Sequence, residues 1–459
     1  MPVIHLLYTT DTPRTGQVVG EEHLKLDEFL KNAFCDDATC KYVSETLCSP
    51  LLAKEDILYR QEIVRVITAN PEFFQALLTV LGKMDVVYTD WQNVKKDYAM
   101  LTRTSREPGY TQWTYLKENI RYLLKIKQGI AQFYDLLTVL SETSQKVFSS
   151  FLNFLQQSLD LLNQYDALIT CLSRASYEHA DLSICIEINS MAEIFALMLD
   201  VGGRKSSGKI LSDGPINLLF YEAIRYTNQV VTLINGGFFE FFHQNASEML
   251  FYRFAVRYIQ LLNDAQVRWT FPSIADDAVM QVRSLLDPFL VVQGRTKNIV
   301  PRDICMETDQ SAILTGDNNT GKTFYLRSLA YILLFTQAGL PIPAEMARVG
   351  IRKNFYILFA SRECMKQSQP DIGLFEMDAM QLAPIVHKVQ GGDFVLLNEI
   401  FQSTFYDEAA EALCPILTYL GRKSVQFLLV THIESLLLHD MGPNVLHLQA
   451  GEDFVIRKR

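Results

Sequence analysis

A chain in two parts, α-helical first and α/β second with a mostly parallel sheet, is predicted by three observations. From about Glu21 to Gln266, apolar residues recur at spacings of three and four with almost no alternating runs. Beyond the sequence WTFP at 269–272, short apolar strand-like runs alternate with helical stretches. One of those runs enters a glycine-containing turn that opens a helix. The implied boundary lies near Val267, with a helical part at 1–266 and an α/β part at 267–459.

The length supports the division, because single hydrophobic cores stop growing near about 250–300 residues and this chain has 459. Hydrophobic residues at 49% against charged residues at 20% describe a packed protein rather than a disordered one. A net charge of -10 argues against coating nucleic acid through bulk charge and leaves a local basic face open. The N-terminal sequence MPVIHLLYTTDTPRTG has no basic segment followed by a long apolar one, and no stretch is apolar enough to span a bilayer, so a cytoplasmic protein without membrane attachment is expected. Of the eight cysteines only Cys35, Cys40 and Cys48 cluster, without metal-ligand spacing, and reduced, mostly buried thiols are expected.

Within the helical part, Ile120, Leu123, Leu124, Ile130, Phe133, Leu136 and Leu137 share one broad face, and Phe148, Phe151, Leu152 and Leu155 continue it. Long antiparallel helices are the simplest architecture for such a stretch. Residues 201–215 (VGGRKSSGKILSDGP) interrupt it as a loop. Gly203 to Lys209 there imitates a phosphate-binding spacing, but Ile210 stands where a hydroxyl is needed and no strand precedes it, so it reads as a basic surface loop.

The α/β part carries the chemistry. Predicted strands are Ala312 to Thr315, Phe355 to Phe359, Phe394 to Leu397 and Gln426 to Thr431. Residues 311–323, SAILTGDNNTGKT, are a strand running into GxxxxGKT and then a helix from Phe324 to Gln337. In such a loop the glycines let amide N–H groups turn inward, and the helix N-terminus adds a positive dipole. Gly316, Asp317, Asn318, Asn319, Thr320, Gly321, Lys322 and Thr323 are therefore the expected binding loop for ATP, with Lys322 on the β- and γ-phosphates and the Thr323 hydroxyl on Mg2+. A second strand ends in Asn398 and Glu399. Glu399 is expected to polarise the attacking water, and Asn398, where Asp is usual, to hold the magnesium waters through a neutral amide. The third strand ends at His432, placed to reach the γ-phosphate or its attacking water.

Taken together, the segments TGDNNTGKTFYLRSLA, LLNEIFQST and LLVTHIESL resemble the ATPase domain of the MutS family of DNA mismatch-repair proteins, which are ABC-type ATPases. Tyr325, Leu326 and Arg327 belong to the likeness, as does QAGLPIPAE at 337–345, similar to the family's helix end and its G-x-x-V-P-A turn. In the helical part, Ser49-Pro50, ILYRQE at 57–62 and NPE at 70–72 look like the start of the family's core and lever domain. The resemblance is strong after Pro272 and weak from Thr102 to Val267. The family's mismatch-reading and connector domains, its strand-rich clamp and its C-terminal helix-turn-helix find no counterpart, so a short, divergent member is expected. The family's signature loop, which donates a serine across the dimer, falls near 369–377 (QPDIGLFEM). There Glu376 and Met377 match, Asp371 occupies the serine's place, and Ser368 is the nearest substitute.

The resemblance implies a helical core and lever domain followed by a P-loop ATPase domain, a homodimer with nucleotide at a composite interface, and a switch that couples ATP binding and hydrolysis to DNA, here DNA of unusual structure rather than a classical mismatch. The alternative is a nucleotide-gated module for a protein or ribonucleoprotein partner, with weak or no hydrolysis. Asn398, the altered signature loop and the acidic balance favour it modestly.

Overall fold

A computed structural model describes residues 4–9, 13–33, 36–104, 108–164, 215–295, 299–318, 320–360, 373–439, 441–451 and 455–458. The loop at 201–214, with its imitation of a phosphate-binding spacing, lies outside them. In chain order the described helices are α1 (Leu26–Ala33), α2 (Asp37–Leu47), α3 (Lys54–Ala69), α4 (Pro71–Thr104), α5 (Pro108–Thr138), α6 (Glu142–Val147), α7 (Ser149–Gln164), α8 (Pro215–Asp264), α9 (Pro288–Val292), α10 (Lys322–Gln337), α11 (Leu374–Lys388) and α12 (Tyr406–Arg422). The strands are β1 (Val18–Val19), β2 (Ser273–Ala275), β3 (Met280–Leu285), β4 (Arg302–Met306), β5 (Ser311–Gly316), β6 (Met346–Gly350), β7 (Phe355–Phe359), β8 (Phe394–Asn398), β9 (Gln426–Val430), β10 (Val445–Ala450) and β11 (Ile456–Lys458). The chain divides into two compact units, Met1–Leu6 with Val66–Met249 and Leu7–Arg65 with Leu250–Arg459.

The first unit is helical. Tyr98 stacks on Tyr115 at 3.7 Å, Trp91 bonds Asn119 and Met84 lies against Gly129, so α4 and α5 run antiparallel, as the spacing of apolar residues predicts. Its interior is aromatic: Phe133, Phe148, Phe151, Phe238 and Phe239 are fully buried. A polar layer crosses this apolar packing. Trp91 Nε1 donates to Asn119 Oδ1 at 3.0 Å, Asn228 Nδ2 donates to the Gln112 carbonyl at 2.8 Å, and Asn235 Nδ2 donates to the Asn119 carbonyl at 2.9 Å. Slipping α8 one turn along α5 would leave these buried groups unpaired, so the layer fixes the helix register.

The second unit is built on a seven-stranded sheet of order β1-β7-β8-β9-β5-β10-β11, parallel throughout except where β11 returns antiparallel to β10. Its central strands read FYILF, FVLLN and QFLLV and are buried along their whole length, the continuous apolar pattern of strands covered on both faces. A smaller sheet of order β2-β6-β3-β4, which the sequence reading did not anticipate, lies in the same unit. Its members are short and β3 is irregular between Val282 and Leu285, so no strand-length alternation survives in the sequence.

Residues near the N-terminus close one edge of the large sheet. Val18 and Val19 pair in parallel with Phe355 and Tyr356. Gly20 has φ +86°, and a Cβ there would lie 2.0 Å from the Ile357 carbonyl oxygen, so only glycine permits this approach. The next residues are held by α10: Arg327 Nε donates to the His23 carbonyl at 3.1 Å and the Tyr331 hydroxyl donates to the Leu24 carbonyl at 2.9 Å. Gln337, at the end of α10, donates to the Leu51 carbonyl at 2.8 Å. Arg60, 1% exposed, donates from Nε to the Leu7 carbonyl and lies over the rings of Tyr8 and Phe251.

The His23 ring stacks on Phe359 at 5.1 Å, and burial lowers its pKa, with Arg327 acting in the same sense against Glu22 and Glu21. A histidine held neutral in this way contributes stability that is complete above the ordinary value of 6.5 and is lost as pH falls through the depressed one. Urea titrations near neutrality and near pH 5 should therefore show a larger loss of midpoint for the wild type than for His23→Phe, which keeps the stacking and cannot protonate.

Candidate functional site

Strand β5, buried from Ser311 to Thr315, delivers the chain to a loop that closes on itself. Gly316 has φ +148°, and a Cβ on it would meet the Ala450 carbonyl oxygen of β10 at 2.6 Å. The Thr320 hydroxyl donates to the Asp317 carbonyl at 2.8 Å, and Gly321, with φ 81°, is the N-cap of α10. Asp317 and Asn318 are exposed, and Asn319 lies outside the described residues. Lys322 and Thr323 are the first residues of α10, where the helix dipole places partial positive charge.

The Lys322 ammonium is turned into the loop. Its Nζ donates to the Gly316 carbonyl at 2.9 Å and to the Asp317 carbonyl at 2.8 Å, and the side chain is only 5% exposed. Burial lowers its pKa, while the negative charges of Glu399 and Asp317 work the other way. The third partner differs in kind, since His432 Nε2 lies 3.3 Å from Nζ.

Strands β8 and β9 bring the other two groups. Because β5 pairs with β9 and β9 with β8, all in parallel, the residues following these strands share one edge of the sheet. Asn398 is buried at the end of β8, and Glu399 follows it, with its amide donating to the Val430 carbonyl at 2.8 Å. Glu399 Oε1 stands 3.1 Å from His432 Nε2 and 4.0 Å from Lys322 Nζ. Burial lowers the His432 pKa and the Lys322 charge lowers it further, opposed by Asp317 and a Gly316 backbone hydrogen bond. A neutral imidazole has one donor and one acceptor nitrogen, so Nε2 either donates to Glu399 or accepts from Lys322, and the two contacts compete for a single tautomer.

Of the residues singled out in the sequence, Gly316, Asp317, Lys322, Glu399 and His432 are thus linked by direct contacts, with Gly321 capping the helix. Asn398 is fully buried, its carbonyl accepting the Ala360 amide at 2.9 Å, and Thr323 is half-buried on the first turn of α10. In the signature region Glu376 and Met377 lie on α11, whereas Ser368 and Asp371 fall outside the described residues. Among the described residues no group of three or more His, Cys, Asp or Glu forms a metal cluster.

Three neighbours escaped the sequence reading. Arg302, on β4, donates to the Gly321 carbonyl at 3.3 Å, and nothing in its local sequence signals that approach. Gln402 donates an amide hydrogen bond to Glu399 Oε2, which the three-residue spacing in NEIFQ makes legible only afterwards. The turn after β8 has two non-glycine residues in the left-handed region, Glu399 at φ 58° and Phe401 at φ 63°. Such conformations cost roughly 1–3 kcal/mol each. Phe401 donates its amide to Asp378 Oδ2 at 2.9 Å.

Comparison with known proteins concentrates on this region. Residues 312–451 match the family model for MutS domain V. The DNA mismatch repair protein MutS of Rhodopirellula baltica is 27% identical over 191 residues, 41% of this chain and 21% of that protein. Endonuclease MutS2 of Lactobacillus helveticus is 29% identical over 170 residues, 37% of this chain and 21% of the relative. The DNA mismatch repair protein MSH3 of Scheffersomyces stipitis is 27% identical over 182 residues, 39% and 17% of the two chains. The matched region spans about a fifth of the length of these relatives. Over residues 312–451 the chain is thus similar to MutS domain V, and the likeness to MutS-family proteins is divergent and partial.

Proposed function

We propose that this protein is a MutS-like ATPase that binds ATP with magnesium at residues 316–323 and couples that binding to DNA of unusual structure. The observation that carries the reading is the buried Lys322 ammonium at a helix N-terminus, facing Glu399 and His432 across the ends of three adjacent strands. A buried cation whose shortest contacts are neutral carbonyls, with the Glu399 carboxylate 4.0 Å away, suits a triphosphate, because a phosphate oxygen replaces those acceptors with charge-assisted ones. The donor set fits magnesium as well, since that ion is commonly held by one or two protein groups together with phosphate oxygens and water. Thr323 and Asn398 are the groups that would hold it. When bound, magnesium neutralises charge on the β- and γ-phosphates.

In this reading Lys322 leaves the Gly316 and Asp317 carbonyls for the phosphates. Glu399 then accepts hydrogen bonding from the attacking water, and His432, freed from its shared contact, turns to the γ-phosphate. The coupling to DNA is supported by the relatives' names, DNA mismatch repair protein and endonuclease. Two copies closing over nucleotide would complete the site, as the resemblance to the family implies. No helix of the described residues is long and apolar enough to cross a membrane.

Lys322→Ala is expected to weaken Mg-ATP binding at least about thirtyfold, because truncating one side of a buried charge contact costs roughly 2–5 kcal/mol. Isothermal titration calorimetry checks this, and unchanged affinity would remove the site.

Glu399→Gln should keep nucleotide affinity and lower turnover by about 10²–10⁴-fold, the usual contribution of a general base. With ATP the same variant is expected to double its mass in light scattering. A mass that stays at one chain would count against the composite site.

A gel-shift panel of duplex, junction and single-stranded DNA should show ATP-dependent retention of at least one form by this trapped variant. If the variant instead holds a nuclease-resistant protein partner and retains no DNA, the nucleotide-gated interaction module replaces the DNA reading. Asn398, which brings no negative charge to the metal, is the observation that favours that module.

A further inference from the structure

The left-handed turn after β8 is held from two sides. Glu399 is fixed by its amide bond to Val430 of β9. Phe401, 2% exposed in the same core, is tied to α11 by its amide bond to the buried Asp378 carboxylate at 2.9 Å and by its ring against Phe375, with centroids 4.5 Å apart and planes inclined by 31°. Ile400, between them, is fully buried in the apolar core with Leu397, Leu429 and Ile433. Glycine would adopt φ 63° at position 401 without strain. An aromatic residue there makes the turn dependent on α11, since its own conformational preference opposes the shape it takes.

We propose that Phe401 and Asp378 are positioning residues for Glu399, clamping the 399–401 turn to α11 so that the carboxylate faces His432 and Lys322. The proposal rests on the ATPase reading of the site. Phe401 lies two residues from Glu399 and immediately before Gln402, whose amide donates to Glu399 Oε2, so the contacts that place Phe401 also place the carboxylate's neighbour. Displacement of α11 is thereby carried to the catalytic carboxylate through one hydrogen bond and one ring contact. The hydrogen bonds of Lys322 run to Gly316, Asp317 and His432, and it meets the clamped turn through its 4.0 Å ion pair with Glu399.

The test uses the full chain with Phe401→Gly, Asp378→Ala and Asp378→Asn, and three measurements: Mg-ATP affinity, single-turnover hydrolysis, and the imidazole nitrogen resonances of His432 without nucleotide. Phe401→Gly relieves the strained backbone but removes a ring buried in the core, so its stability is expected to fall by about 2–4 kcal/mol and is checked by urea titration, whereas Asp378→Ala and Asp378→Asn keep that ring. Phe401→Gly and Asp378→Ala should keep Mg-ATP affinity within about twofold and lower hydrolysis roughly ten- to a hundredfold, the scale of a misplaced catalytic group. Both should shift the His432 resonances. Asp378→Asn keeps an acceptor oxygen for the Phe401 amide and should restore most of the rate. Wild-type hydrolysis with unshifted His432 resonances in Phe401→Gly and Asp378→Ala would overturn the proposal. If no form of the protein hydrolyses ATP, the ATPase reading fails and the resonances alone decide: a shift supports the clamp, and its absence overturns it.

Discussion

The arrangement of the second unit turns on where one ammonium group is kept. Lys322 is buried, and a buried cation is costly unless donors and acceptors are matched around it. The Gly316 and Asp317 carbonyls supply that match, and they lie within reach only because Gly316 passes against Ala450 with no side chain of its own. The same charge sets the electrostatics of its neighbours, lowering the pKa of His432 and answering the carboxylate of Glu399. Strand order does the rest, because β8, β9 and β5 are consecutive parallel neighbours and their following residues converge without any long loop.

Around that cation the structure tolerates conformations that an isolated chain would avoid. Glu399 and Phe401 both take left-handed backbone geometry, and each is compensated by a specific contact with a different element, β9 in one case and α11 in the other. The interior of the sheet supplies the stiffness that makes such compensation effective, with Ile313, Leu397 and Leu429 completely buried. The first unit solves a different problem, holding long helices in register, and uses a buried amide layer among phenylalanines to do so.

The sequence made legible whatever is consecutive along the chain. The Gly316 to Thr323 loop, the buried runs of β7, β8 and β9 and the helical stretch around Phe133 carry their patterns in neighbouring residues, so the mostly parallel sheet and the helical part could be read directly. Contacts assembled from distant segments were not legible. Arg302 reaches Gly321 from the second sheet, whose short and bulged strands leave no period to detect. Strand β1 is two valines long and finds its partner only in β7, so alternation had no length over which to register. Phe401 is the sharpest case, since an aromatic residue gives no local sign that its backbone will be left-handed.

The edge formed by Val18 and Val19 has a consequence for how the molecule is made. Gln17 and its hydrogen-bond partner Asn354 are separated by 337 positions. At a translation rate of about 5–20 residues per second, the amino-terminal segment leaves the ribosome roughly 17–70 s before the strand it must join. During that interval a short valine pair flanked by glycine, too brief to template association with other nascent chains, is a safer thing to expose than a long apolar strand. The minimal length of β1 thus limits the strand edge that the growing chain exposes before β7 has been made.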